Sequence, residues 1–158
     1  MTAAVLTISD SSFIKVRRDE SGPAVKARLE ELGFRVPLLQ ILPDERVLIS
    51  ARLKELADSG SYQVLFTTGG TGAALRDVTP EATRDIIERE MPGLPEAMRA
   101  AGAKFTPLSY LSRGVAGLRG TTLIVNLPGS PKGAIQSLDA IAHMVPHILR
   151  LLAGDTEH

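Results

Sequence analysis

Tyr62-Gln63-Val64-Leu65-Phe66, running into Thr67-Thr68-Gly69-Gly70-Thr71-Gly72-Ala73-Ala74-Leu75-Arg76-Asp77-Val78-Thr79-Pro80-Glu81, is the stretch that decides the fold. A short apolar run ends in a glycine-rich loop. The loop ends where Thr79 reads as a helix N-cap and Pro80 as part of the first turn of a helix reaching to about residue 90. Strand, glycine loop and helix in that order place an anion site at the end of the strand. Without Cβ atoms, Gly69, Gly70 and Gly72 can reach φ > 0 and let an anion approach successive backbone N–H groups. Asp77 would repel a polyphosphate there unless a divalent cation lay between them, so Mg²⁺ ligation is its simplest functional role. The standard nucleotide motifs do not fit. No Gly-x-x-x-x-Gly-Lys-Ser/Thr is present, and Leu75 stands where a dinucleotide fingerprint needs its third glycine.

Outward from this loop, short apolar runs alternate with helical patterns. Strands are expected over residues 3–8, 34–41, 62–66 and 121–127. Helices are expected from Ser21-Gly22-Pro23 to Leu32, from Glu45 to Leu56 behind an Asp44 N-cap, over residues 96–103, from Ser130 to about Ala142, and from Pro146 to Leu152. Residues 110–118 read as the partner of 121–127 in a hairpin turning at Arg119-Gly120. Alternating strands and helices predict an α/β fold with a largely parallel sheet, whose ligands bind outside the carboxyl ends of the strands. Four polar segments then share one edge: Ser9-Asp10, Asp44, Gly69 to Asp77, and Gly129-Ser130-Pro131-Lys132. Together they offer backbone amides, carboxylates for a metal and an ammonium for a phosphate. Singly, each has a plainer use, with Asp10, Asp44 and Ser130 as caps and Lys132 as a solvated surface lysine.

Composition narrows the class. With 158 residues, 44% of them hydrophobic, one well-packed domain is expected. Eighteen Lys and Arg balance eighteen Asp and Glu, leaving no broad basic field for nucleic acid. The absence of cysteine removes disulfides, thiolate metal sites and thiol nucleophiles. The N-terminal apolar run ends at Ser9-Asp10, far short of a membrane span, so a cytoplasmic protein is expected.

Thr67-Thr68-Gly69-Gly70-Thr71-Gly72, Arg76-Asp77-Val78-Thr79-Pro80-Glu81-Ala82, Ser112-Arg113-Gly114-Val115-Ala116-Gly117 and Asn126-Leu127-Pro128-Gly129-Ser130-Pro131-Lys132 resemble the molybdenum cofactor biosynthesis MogA/MoaB family. That family is similar to the G domain of gephyrin. Ser9-Asp10, Asp19 with Ser21-Gly22-Pro23, and Pro43-Asp44 extend the likeness along nearly the whole chain. The resemblance implies a single three-layer α/β/α domain over residues 1–158 with a mostly parallel central sheet, assembled as a homotrimer. It also implies adenylylation of molybdopterin with Mg²⁺ and ATP, release of pyrophosphate, and hand-over of the product to a molybdate-inserting partner. Carried over by position, Asp44 and Asp77 are the catalytic, Mg²⁺-associated carboxylates, and Gly69, Gly70, Thr71 and Gly72 are the nucleotide loop. Ser112, Arg113, Pro128, Gly129, Ser130 and Lys132 fall in the molybdopterin-binding segments. Phe13 and residues 91–94 are the apolar loop candidates for subunit contact. One departure stands out: the family often has a glycine-containing polar loop where this chain reads Ser11-Ser12-Phe13-Ile14-Lys15-Val16-Arg17-Arg18, so no contacts are carried over to it. The same fold also serves proteins that bind molybdopterin without adenylylating it, and the same constellation suits hydrolysis of a nucleotide or pyrophosphate.

Overall fold

A computed structural model describes residues 1–155. Six strands form one sheet: β1 (Thr2–Ile8), β2 (Arg35–Leu42), β3 (Val64–Thr68), β4 (Arg89–Glu90), β5 (Ala116–Arg119) and β6 (Thr122–Leu127). The helices are α1 (Asp10–Phe13), α2 (Ser21–Glu31), α3 (Arg46–Asp58), α4 (Thr79–Arg84), α5 (Gly93–Ala103), α6 (Pro131–Ile141) and α7 (Val145–Leu152), with a 3₁₀ turn over Pro107–Leu111. The strand order is β2-β1-β3-β6-β5-β4. The first four strands in that order run parallel; at the edge β5 pairs antiparallel with β6, and β4 antiparallel with β5.

Strands buried on both faces explain the three layers. Along β1, Ala3 and Val5 face a core completed by Val25 and Leu29 of α2, Met98 of α5, Leu138 of α6 and Ile148 of α7. Ala4, Leu6 and Ile8 face the opposite core, built on Ile49, Leu53 and Leu56 of α3 and Ala82 of α4. Continuous apolar strands therefore sit between two helical layers, the arrangement that parallel sheets require. The chain leaves β1 toward β2 on one side and reaches β3 on the other. Their C-terminal loops part there, opening the crevice in which ligands of such sheets bind.

Several local expectations differ from the structure. The helix beginning at Thr79 stops at Arg84, and Arg89–Glu90 becomes an edge strand. Glu88 N–H donates to Leu118 O and Met91 N–H to Ala116 O, and Gly117 leaves room for this approach, since a Cβ there would lie 2.8 Å from Arg89 O. Val78, not Thr79, is the N-cap of α4, and Glu45, not Asp44, is the N-cap of α3. The hairpin strand begins at Ala116, because residues 107–111 coil into the 3₁₀ turn capped by the Thr106 hydroxyl. α1 was not expected at all; Ser9 caps it by accepting from Ser12 N–H. Leu94 is buried in the core and Met91 packs against it, so that segment is spent on folding, whereas Phe13 is half exposed. Among the described residues, no helix is long and apolar enough to cross a membrane.

Candidate active site

The glycine loop follows β3 directly and is shaped by backbone that only glycine accepts readily. Gly69 has φ +104° and Gly70 φ +67°. A Cβ on Gly69 would lie 2.3 Å from Ile8 O, and one on Gly70 would lie 2.2 Å from Thr79 Oγ1 and 3.0 Å from Asp44 Oδ1. Thr79 ties down the far side of the loop: its hydroxyl donates to Gly69 O at 2.9 Å and its N–H to Gly70 O at 3.1 Å. Thr79 thus holds the loop from the first position of α4 instead of capping that helix.

Behind this contact lies a buried polar network. Asn126 of β6 accepts from Val115 N–H at 3.1 Å and donates to Thr67 Oγ1 at 3.0 Å and Thr83 Oγ1 at 2.9 Å. Thr83 in turn donates to Thr79 O at 2.8 Å. Among the described residues, every buried side-chain polar atom has a partner. Such a satisfied network fixes one geometry, and here it fixes the start of α4 against β3 and β6.

Asp44 is held by a reciprocal clasp at the ends of β1 and β2. Asp10 N–H donates to Asp44 Oδ2 at 2.8 Å, and Asp44 N–H donates to Asp10 Oδ1 at 2.9 Å. Arg76, from the glycine loop, then grips Asp10 Oδ2 through Nε and Nη2 at 2.9 and 2.7 Å. That guanidinium, with the Asp44 amide, holds the Asp10 carboxyl below its ordinary range. Asp44 is shifted the other way. Burial pushes its carboxyl up, and the facing charges of Asp10 and Asp77 add to the effect against the opposing Asp10 amide. Asp77 turns back on its own loop, accepting from Ala74 N–H at 3.0 Å, and Gly72 lies close enough that a Cβ would stand 2.8 Å from Asp77 Oδ2.

Mutually repelling carboxylates around a glycine loop fit a divalent cation. Among the described residues, no group of three or more Asp, Glu, His or Cys closes on a metal position. A cation taken by one or two carboxylates together with phosphates and water would find Asp44 and Asp77 beside the glycine loop.

Arg113 braces the loop from below. Its Nε donates to Gly72 O at 2.8 Å, Nη2 to Asp77 O at 2.6 Å, and Nη1 to the Glu81 carboxylate; its N–H also donates to Thr71 O at 2.9 Å. The pair with Arg113 holds the Glu81 carboxyl below its ordinary range. On the other side, Gly129 packs onto Gly69, where an added Cβ would meet Gly69 Cα at 3.2 Å, and Thr68 Oγ1 donates to Pro128 O at 2.7 Å. Ser130 caps α6 by accepting from Gly133 N–H at 3.1 Å.

Two clefts meet at Gly70, Asp77, Gly129 and Ser130. The first, about 430 Å³, is walled by Pro95, Met98, Leu108 and Leu111 and edged by Ser112, Pro128, Gln136 and Ser137. The second, about 380 Å³, is polar and holds Ser9, Ser12, Asp19, Asp44 and Gly69, with Arg17 and Arg18 at its wall. Of the residues expected from sequence, Asp44, Asp77, Gly69, Gly70, Thr71, Gly72, Ser112, Pro128, Gly129 and Ser130 all line one cleft or both. Arg113 and Lys132 line neither. The Arg113 guanidinium is spent on the loop's own carbonyls. Lys132 is exposed, because the helical period of α6 turns Ser130, Gly133, Gln136 and Ser137 to the cleft and position 132 away.

With this geometry in view, comparison with known proteins is specific. The family model described as a probable molybdopterin binding domain matches residues 4–148. The chain belongs to this family. It is 40% identical over 154 residues to the molybdopterin adenylyltransferase of Helicobacter pylori (strain J99), covering 96% of this chain and 87% of that one. It is also 40% identical over 156 residues to the molybdenum cofactor synthesis protein cinnamon of Drosophila melanogaster, where it covers 98% of this chain but spans only 26% of that protein's length. The crystal structure of the molybdopterin biosynthesis enzyme MoaB from Thermus thermophilus superposes with a TM-score of 0.91 at 47% identity, over 97% of this chain and 96% of that one.

Within this family fold, sequence reasoning missed the supports and kept the lining. The role of Asn126 had one signal in the sequence, since a lone asparagine inside the apolar run Leu123 to Leu127 is a sign of a buried hydrogen-bonding site. The Arg76–Asp10 and Arg113–Glu81 pairs join residues 66 and 32 apart in sequence, and no local pattern announces them.

Proposed function

We propose that this chain is a molybdopterin adenylyltransferase, transferring AMP from ATP to the terminal phosphate of molybdopterin. The observation that carries the reading is the meeting of the two clefts at Gly70 and Asp77, with Asp44 alongside. One cleft offers apolar walls and hydroxyls suited to a planar pterin. The other offers a glycine loop and carboxylates suited to a metal-bound polyphosphate. The α-phosphate belongs at their junction.

The reaction needs no protein nucleophile. A molybdopterin phosphate oxygen attacks the α-phosphorus, a new P–O–P bond forms, the bond between the α-phosphorus and the α,β-bridging oxygen breaks, and pyrophosphate leaves with that oxygen. When bound, Mg²⁺ supplies positive charge to offset the repulsion between the two anionic substrates and the charge of the leaving group. The protein's own part is positional and electrostatic. The bare backbone at Gly69 and Gly70 lets phosphate oxygens come close, Arg113 and Thr79 hold that backbone in place, and Asp44 and Asp77 would hold the cation. Ser112, Pro128, Gly129 and Ser130 orient molybdopterin so that its phosphate reaches the junction. Preorganised groups of this kind act by sparing reorganisation in the transition state.

Molybdopterin and ATP are the two substrates in this reading, and a molybdate-inserting protein is the recipient of the product. Phe13, with exposed Phe105 and Tyr110, provides apolar surface for a closed homotrimer in the cytoplasm. Light scattering giving three times the chain mass supports that assembly, and a monomer at all concentrations rejects it.

The test of the activity is product identity. Incubation with molybdopterin, ATP and Mg²⁺ gives a species with the mass of molybdopterin-AMP, whereas a carrier would bind molybdopterin and leave ATP intact. A hydrolase would cleave ATP without molybdopterin.

A further inference from the structure

The segment from Ser11 to Arg18 departs from the family pattern, and yet Ser12, Arg17 and Arg18 form a wall of the polar cleft. We infer that Arg17 and Arg18 form a clamp for the β- and γ-phosphates of the nucleotide and for the pyrophosphate that leaves. The inference rests on the adenylyltransferase reading and adds to it a leaving-group site on residues that carry no part of the family motifs.

Three observations support it. The loop is built: Lys15, at φ +61°, reverses the chain, and Lys15, Val16 and Arg17 N–H donate back to Ser12 O, Ser11 O and Ser11 O at 3.2, 3.0 and 3.1 Å. This staple brings both arginines to the cleft that holds Gly69, Gly70 and Asp44. Their charge is also uncommitted. Asp19, the adjacent carboxylate, is taken by the Thr7 hydroxyl at 2.7 Å and Gly22 N–H at 3.0 Å, and among the described residues neither the Arg17 nor the Arg18 guanidinium forms an ion pair or hydrogen bond. Two unpaired guanidiniums beside a glycine loop are an anion wall, and guanidinium matches phosphate oxygens in bidentate geometry.

The reaction's direction selects the ligand. Attack at phosphorus and departure from it lie in line, so a nucleophile held in the apolar cleft drives the leaving group toward the polar one. The arginines stand on that side. Unlike the junction residues, they line the polar cleft and not the apolar one.

Isothermal titration of the wild type and the double variant Arg17→Gln/Arg18→Gln with inorganic pyrophosphate, ATP and AMP, each with Mg²⁺, tests this. Both side chains are exposed, so the variant should melt as the wild type does. Pyrophosphate and ATP should bind roughly ten- to a hundred-fold more weakly to the variant, the scale of one or two lost charge-assisted contacts. AMP should change by less than about two-fold, and the wild-type advantage should shrink as salt is raised. Unchanged pyrophosphate affinity overturns the clamp, as does AMP weakened as much as ATP, which would move the arginines to the α-phosphate. If the wild type forms molybdopterin-AMP and still shows no pyrophosphate site, the clamp alone falls. If it neither binds nucleotide nor forms that product, the adenylyltransferase reading falls and the clamp with it.

Discussion

Replacing Gly70 by alanine tests the glycine loop with the least added mass. Gly70 has φ +67°, where a residue with a Cβ is strained by about 1–2 kcal/mol. The new methyl would also stand 2.2 Å from Thr79 Oγ1, which must move and give up its bond to Gly69 O, at about 1 kcal/mol. The sum is about 2–3 kcal/mol, or a fall of about 5–10 °C in Tm for a domain of this size. Gly120→Ala is the control. Gly120 has φ +53° but nothing within 4 Å of an added Cβ, so it carries the backbone term alone, about 1–2 kcal/mol. Denaturant titration of both variants isolates the Thr79 contact, and steady-state assay isolates the functional effect. Gly120→Ala should keep full turnover. Gly70→Ala should lose about a hundred-fold or more in kcat/KM, because its methyl intrudes 3.0 Å from Asp44 Oδ1, where the proposed reaction places the phosphates and cation. A Gly70→Ala protein as stable as Gly120→Ala and close to wild type in turnover would refute the reasoning.

Asp77→Asn should lower turnover by about a hundred-fold or more while leaving Tm and metal-free molybdopterin binding near wild type, measured by kinetics and titration. Asp44→Asn should lose turnover comparably, but the apo variant should be at least as stable as the wild type at pH 7. The Asp44 carboxyl is raised by burial and by Asp10 and Asp77, so its contribution to stability is complete below the unfolded carboxyl pKa and is lost as pH rises through the folded value. Melting curves across the acid range should therefore show the variant's advantage vanish as pH falls. Asn126→Ala leaves the Thr67 and Thr83 hydroxyls and Val115 N–H short of a partner, and should cost about 2–4 kcal/mol by denaturant titration. Arg113→Lys keeps the charge but not the fork that spans Gly72 O, Asp77 O and Glu81, and should raise KM for ATP and lower Tm. Lys132→Ala should change molybdopterin affinity by less than about two-fold at physiological salt, since an exposed ammonium outside the clefts acts only through screened charge.

What the sequence disclosed follows from the range of the forces involved. Apolar runs mark β1, β3 and β6 because a strand buried on both faces must be apolar throughout, and their parallel order follows from the helices between them. Gly69, Gly70 and Asp77 were legible because backbone freedom and a carboxylate beside it are local properties. The caps were less so. Asp44 has the sequence position of an N-cap for α3, but its carboxylate accepts instead from the Asp10 amide, a partner 34 residues away. Thr79 has the composition of a cap and serves as the loop's anchor, because Gly69 O and Gly70 O lie within reach only once β3 and α4 are packed. Lys132 sits in the first turn of α6, and the helical period turns it away from the clefts that Ser130 and Gly133 line. Tertiary geometry, absent from any window of sequence, decides all three.

A single-turnover reaction with enzyme and MgATP in excess over molybdopterin, following pyrophosphate and molybdopterin-AMP together, tests the central claim most directly. The account predicts one pyrophosphate released for each molybdopterin-AMP formed, at the same rate, with none released when molybdopterin is omitted. Pyrophosphate or phosphate release that runs on without molybdopterin, or molybdopterin recovered unmodified beside intact ATP, would contradict it.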